Sequence, residues 1–255
     1  MGVINMRTLG GMNINELNFS KGNACPDTIQ LGKTPYNYEL LYLHSEQEYI
    51  VKEPTRCCLF NIGDNNAKLC LNGNWIDSNQ YVLGNLKAIK LSASVPTAVL
   101  IAYYYTEIDK ENYGVYPLTD AKKVNKPWGY EMWLTGEPSN LFAFKKIYIK
   151  AGNRTSLQYH KIKRETNFII SGSVKLSYNE NVKPIESDEY SIQTSCIDAP
   201  FVIDVFPNTI HRIEALTDLL LYEVSTPELD DVVRLQDDAG RTDGKVQQEH
   251  EANNG

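Results

Sequence analysis

The residues of this chain best suited to chemistry cluster in Gly152–Gly172, which reads GNRTSLQYHKIKRETNFIISG. Alternate side chains of an extended strand share a face, so Gln158 and His160 point one way while Leu157 and Tyr159 point the other. Glu165 follows after a short turn and can return to that face from the next strand. His211, about fifty residues on in the run VFPNTIHRIEA, can close the set from a strand across a barrel. Two imidazoles, one carboxylate and one carboxamide oxygen make a mixed nitrogen and oxygen site for one divalent metal. Zinc is the first expectation, with manganese, iron or cobalt as alternatives, ahead of a metal that prefers thiolates. Gln158 in place of a second carboxylate leaves the site less negative, which favours a Lewis acid at least as much as a redox centre.

Strands must position these groups. Segments such as Tyr38–His44, Cys57–Ile62 and Ala98–Thr106 are rich in β-branched and aromatic residues and are broken by Gly, Asn and Pro. The texture returns in Leu141–Lys150, Thr155–His160, Asn167–Ser171, Ser173–Tyr178, Phe201–Val205 and Leu219–Val224, and no window holds a long amphipathic helix. Such a pattern predicts an all-β sandwich, jelly roll or barrel. Phe60-Asn61-Ile62-Gly63 followed by Ala67–Asn72 resembles Ile169-Ile170-Ser171-Gly172 followed by Val174–Asn179, and Leu100–Tyr103 answers Leu220–Glu223. This ordered repeat predicts two copies of one fold. The expected division is an N-terminal arm over 1–30, a first domain over 31–112, a second over 113–241 and a disordered tail over 242–255, whose residues are charged and amide-rich.

The net charge of −7 argues against nucleic acid or an anionic membrane surface as partner. No secretory pattern opens the chain, no apolar stretch is long enough to span a bilayer, and five cysteines without a C-x-x-C pair fit reduced thiols in a cytoplasm. The expected partner is a small molecule, and a homodimer is compatible with the composition. Within this acidic chain, Lys145, Lys146, Lys150, Arg154, Lys161, Lys163 and Arg164 form a run without one acidic residue. A basic rim beside the site suits a phosphorylated or carboxylated substrate.

At these residues the sequence resembles the cupins, and within them the C-terminal isomerase domain of type II mannose-6-phosphate isomerase. The resemblance is carried by Lys126-Pro127-Trp128-Gly129, by Ser156-Leu157-Gln158-Tyr159-His160 with Glu165, and by His211-Arg212-Ile213-Glu214. Glu223-Val224 and the stretch Asp230–Arg241 complete it, so that about Lys126 to Arg241 is covered. It implies a double-stranded β-helix in each half, that is a bicupin, with metal ligands at Gln158, His160, Glu165 and His211. It also implies aldose–ketose isomerisation of a phosphorylated sugar such as mannose 6-phosphate. The guanylyltransferase often fused to this family is absent here. The family's Arg before the ligand Glu falls on Lys163, with Arg164 adjacent; its His-Trp after that Glu becomes Thr166-Asn167, and its terminal Tyr-Gly-Arg becomes Ala239-Gly240-Arg241.

The first copy lacks such a site: positions answering Gln158, His160 and Glu165 fall near Tyr49, Val51 and Arg56, which makes it a degenerate cupin. His44 reads as an ordinary strand-end histidine and His250 as part of the tail. Candidate general bases are Glu223, Lys163 and Glu214, which the sequence does not rank. Candidate substrate-binding residues are Arg154, Arg164, Arg212 and Arg241. Two other readings stand beside the isomerase: an iron-dependent oxygenase, lyase or epimerase, and a non-catalytic sugar-binding or regulatory protein.

Overall fold

The computed structural model describes residues 6–9, 12–17, 27–29, 36–45, 47–51, 55–63, 65–135, 141–179 and 191–251. Among them helix is confined to a 3₁₀ turn at Leu118–Asp120 and a single turn at Gln247–Glu251; everything else regular is strand, as the short alternating segments predict. No helix among the described residues is long and apolar enough to cross a membrane.

Two compact units divide the chain, and their boundaries are not linear. One comprises Phe19–Lys122 with Leu134–Phe144 and Met1–Gly2; the other comprises Val3–Asn18, Lys123–Trp133 and Lys145–Gly255. The expected arm over 1–30 is therefore shared, and part of it is a strand of the C-terminal unit. Met12–Glu16 pairs antiparallel with Phe201–Val205, placing Ile14 opposite Ile203. Met12 and Ile14 share one face of this strand and are buried with Phe201, Ile203 and Val205, while Glu16 at the strand end is exposed.

Each unit pairs a large antiparallel sheet with a small one. In the N-terminal unit the central strand Thr55–Asn61 lies between Gln80–Leu86 and Thr97–Tyr105, and the latter pairs with Asn37–Leu43. In the C-terminal unit Glu165–Ser171 lies between Phe201–Val205 and Leu219–Ser225, and the latter pairs with Ala143–Ile149. The neighbours match strand for strand, so the weak sequence repeat has a topological basis. The small sheet of the C-terminal unit runs Ile192–Asp198, Ser173–Asn179, His211–Ala215, Leu157–Tyr159, Val233–Gln236. Its inward residues Val174, Leu176 and Ile213 share one core with Ile169, Phe201 and Leu221 of the large sheet, a sandwich closed by apolar interdigitation. The N-terminal unit closes similarly, Leu41, Leu59, Val82 and Val99 meeting Leu69, Leu71 and Leu91.

The segment 242–255, expected to be disordered, is described as far as residue 251. It is fastened by charge rather than by apolar residues, which is why composition concealed it: Lys126 Nζ donates to Glu249 Oε2 at 2.7 Å.

Candidate metal centre and its cavity

The candidate residues converge at one end of the C-terminal sandwich, from both of its sheets. Glu165 opens the central strand of the large sheet, while Gln158 and His211 stand opposite each other in the small sheet. His160 follows directly after strand Leu157–Tyr159. The turn before His211 needs a left-handed residue, and Asn208 supplies it at φ 62°. The Asn208 amide then donates to the His160 carbonyl oxygen at 2.6 Å, tying the two histidine segments together.

Ligand atoms of His160, Glu165 and His211 all lie within 4.8 Å of one another, and all three residues are buried. His211 Nε2 lies 3.2 Å from Glu165 Oε1, and His160 Nε2 lies 3.5 Å from Glu165 Oε2. Each imidazole has its other nitrogen on a backbone carbonyl: His160 Nδ1 is 2.5 Å from Asp231 O, and His211 Nδ1 is 3.0 Å from Thr209 O. Those carbonyls can only accept, so each Nδ1 donates, and the neutral form of each ring presents its Nε2 lone pair toward Glu165. Burial, then the nearby Lys163 ammonium, pushes His160 down to about 4, so it is neutral near pH 7. His160 Nε2 is buried without a hydrogen-bond partner. Lone pairs facing a carboxylate in a buried site fit a divalent cation between them. Gln158 accepts from Ser156 Oγ at 2.6 Å through its carboxamide oxygen and lines the same cavity.

That cavity, about 120 Å³, is also lined by an alternating ladder of buried charges. Lys163 Nζ donates to Glu165 Oε2 at 2.5 Å and lies 2.9 Å from Glu223 Oε1. Lys145 Nζ lies 3.5 Å from that same Glu223 oxygen and 3.6 Å from Glu131 Oε2. Trp133 Nε1 donates to Glu131 Oε2 at 2.8 Å. Burial works against every one of these charges, and the partners decide the outcome. For Lys163 the carboxylates of Glu165 and Glu223 outweigh burial and hold the ammonium above its ordinary value. For Glu165, burial is outweighed by Lys163 and the imidazoles, which keep the carboxyl well below the usual range. For Glu131, burial is outweighed by Lys145 and Lys126, and the carboxyl sits at about 2. Asn167, where the resembling family has Trp, donates to Glu165 Oε1 at 3.1 Å and so orients the carboxylate.

Of the candidate bases, Glu223 and Lys163 line the cavity and Glu214 does not. In strand His211–Ala215, His211 and Ile213 face inward, and alternation turns Arg212 and Glu214 outward. Glu214 meets Lys175 at 3.5 Å, and Arg212 donates to Gln236 O at 3.0 Å. The expected basic rim also divides. Arg154 is spent on Asp238 through Nε at 2.6 Å; Arg164 is paired with buried Asp204 and covers the Phe206 ring. Among the four candidate substrate-binding arginines, Arg241 lines the cavity. Sequence reading missed Glu131 and Lys126, and saw Lys145 only as one member of a basic run. The signal was present in Gly129–Trp133, where Glu131 shares the inward phase with Trp133, an unusual place for a carboxylate without a function or a partner.

Residues 116–237 match the family model described as mannose-6-phosphate isomerase C-terminal. Among curated protein sequences nothing matches the chain. Oxalate decarboxylase of Bacillus subtilis, whose structure concerns its Mn(II) centres, is similar with a TM-score of 0.56 at 11% identity, over 91% of this chain and 78% of that one. Oxalate decarboxylase of Lactobacillus farciminis, in a formate complex, gives 0.54 at 11% identity over 91% and 86%. Protein Ylba of E. coli gives 0.58 at 11% identity over 86% and 92%. At such identities the likeness is one of fold. The chain therefore has a bicupin fold, and its residues 116–237 resemble the mannose-6-phosphate isomerase C-terminal family.

Proposed function

We propose that the C-terminal unit is a metal-dependent isomerase of a phosphorylated sugar, working by enolisation beside a carbonyl. The observation that carries this reading is the burial of a carboxylate, Glu223, and an ammonium, Lys163, side by side in the cavity that holds the His160, Glu165 and His211 cluster. Gln158, His160, Glu165 and His211 would hold the divalent ion, which when bound supplies Lewis-acid polarisation of the substrate carbonyl. Glu223 is suited to take the proton from the carbon next to that carbonyl and return it to the neighbouring carbon, leaving atoms and charge in balance. Lys163, kept charged by its two carboxylates, can donate to the oxygen on which negative charge develops. Lys145 holds Glu223 from the other side, and the buried surroundings exclude bulk water. Glu214 faces away from the cavity, which favours Glu223 in the basic role.

The test is deuterium exchange in heavy water with mannose 6-phosphate and fructose 6-phosphate. Wash-in at the carbon alpha to the carbonyl with the wild type, lost in Glu223→Gln, is the expected result. Binding without exchange across a broad panel of sugar phosphates would transfer the assignment to a sugar-binding protein. Iron-dependent oxygen consumption would transfer it to an oxygenase.

A further inference from the structure

Besides Lys145, Lys163 and Lys245, the cationic residues lining the cavity are Lys126, Arg234 and Arg241. Lys126 also acts on Glu131 at the end of the charge ladder, and all three face the segment 242–251. Arg241 gives two of its donors to Asp237, Nε at 3.0 Å and NH2 at 2.7 Å. Its remaining terminal nitrogen, NH1, lies 3.5 Å from Glu249 Oε1. The other oxygen of Glu249 accepts from Lys126 Nζ at 2.7 Å. Arg234 NH1 donates to the carbonyls of Thr242 and Gly244, which fastens the start of the same segment. Lys245 and Val246 between these fastenings line the cavity as well.

The side chains of Lys126, Arg241 and Glu249 are nearly buried, at 10%, 9% and 13% exposure, so this is not a solvated surface pair. Asp237, Asp243 and Glu249 surround these cations, yet burial together with the neighbouring Arg241 holds Arg234 below its ordinary value. Without Glu249 the Lys126 ammonium and the Arg241 NH1 nitrogen would lose the carboxylate that spans them, while Asp237 would keep its two bonds to Arg241. A phosphate monoester has the same spread of acceptor oxygens with more charge.

We propose that Lys126 and Arg241 form the anion subsite of this cavity, made for the phosphoryl group of the substrate, and that Glu249 occupies their donors when no phosphate is bound. The C-terminal segment is then an internal competitor: phosphate binding releases Glu249, and product departure lets the carboxylate return. The proposal rests on the cavity being the ligand site of the preceding reading, but it does not need the isomerase chemistry.

Calorimetric titration of inorganic phosphate into the full chain tests it without turnover. Loss of one charge-assisted competitor predicts that Glu249→Gln binds phosphate about tenfold more tightly than the wild type. Adding Lys126→Gln to Glu249→Gln should abolish that gain. Equal affinity of wild type and Glu249→Gln, including no binding by either, would overturn the proposal, as would a gain that survives Lys126→Gln. A gain in phosphate affinity without deuterium exchange would leave the subsite standing and remove the isomerase reading.

Discussion

Lys163 Nζ lies 2.5 Å from Glu165 Oε2, so the carboxylate that faces both imidazoles is also held by a buried ammonium two residues away in sequence. Residues two apart in an extended chain share a face, which sets the two side chains side by side, and the buried cation preorganises the carboxylate. Removing the ammonium leaves Glu165 and Glu223 in the same cavity with their main counter-charge gone.

Lys163→Met should therefore destabilise the metal-free protein by about 3 kcal/mol, the usual cost of breaking one side of a buried ion pair. A divalent ion would replace the lost charge, so added zinc or manganese should raise the melting temperature of the variant more than that of the wild type. Thermal unfolding with and without metal measures this; equal metal-induced shifts would show that Lys163 does not share Glu165 with the ion.

His160→Ala and His211→Ala should each lower metal affinity at least about 100-fold, because loss of even an outer partner of a ligand commonly costs 10- to 100-fold. Elemental analysis of the wild type should give one metal per chain. The strand of the N-terminal unit that corresponds to Glu165–Ser171 begins with Thr55, and no second cluster of His, Cys, Asp or Glu fit for a metal occurs among the described residues. Two metals per chain would contradict this assignment.

The pH dependence of stability should carry the mark of Glu131. Its folded value, about 2, lies below the ordinary 4.5, so the unfolded chain binds more protons between those values. The stabilisation is fully present above pH 4.5 and is lost as the pH falls through about 2, amounting to about 3 kcal/mol for a shift of this size. Denaturant melts of wild type and Glu131→Gln over this window should differ in slope, the variant losing less stability on acidification. Parallel slopes would mean that Lys145 and Lys126 do not hold the carboxylate charged.

Ile14→Ala tests the strand that the N-terminal segment contributes to the C-terminal unit. Ile14 is 1% exposed and sits in the core with Ile203, so the truncation should cost about 3 kcal/mol, as large-to-small core changes do. A change below about 0.5 kcal/mol, the range of surface substitutions, would show that this strand is dispensable.

The metal-type cluster was legible because strand alternation and a short turn are local rules. Gln158, His160 and Glu165 lie within eight residues; the period of two sets Gln158 and His160 on one face, and a short turn brings Glu165 back toward them from the next strand. The all-β class and the two-copy architecture followed from composition and an ordered repeat, again short-range signals. Rim residues are different. Arg154, Arg164 and Arg212 have the right charge at the right sequence distance, yet Asp238, Asp204 and Gln236 draw them outward. Those partners are remote in the chain, and local pattern does not contain them.

What the sequence by itself determined is which residue types gather at the candidate centre and the pleated scaffold that aims them. Tertiary structure alone decided the rest: that Met12–Glu16 completes a sheet about two hundred residues away, that Lys145 and Glu131 turn into the cavity as counter-charges, and that Glu249 returns to Lys126. The physical reason is that periodicity fixes which face a side chain takes. Whether a charge on that face is paired or left to bind substrate depends on electrostatic partners joined only when the chain closes on itself.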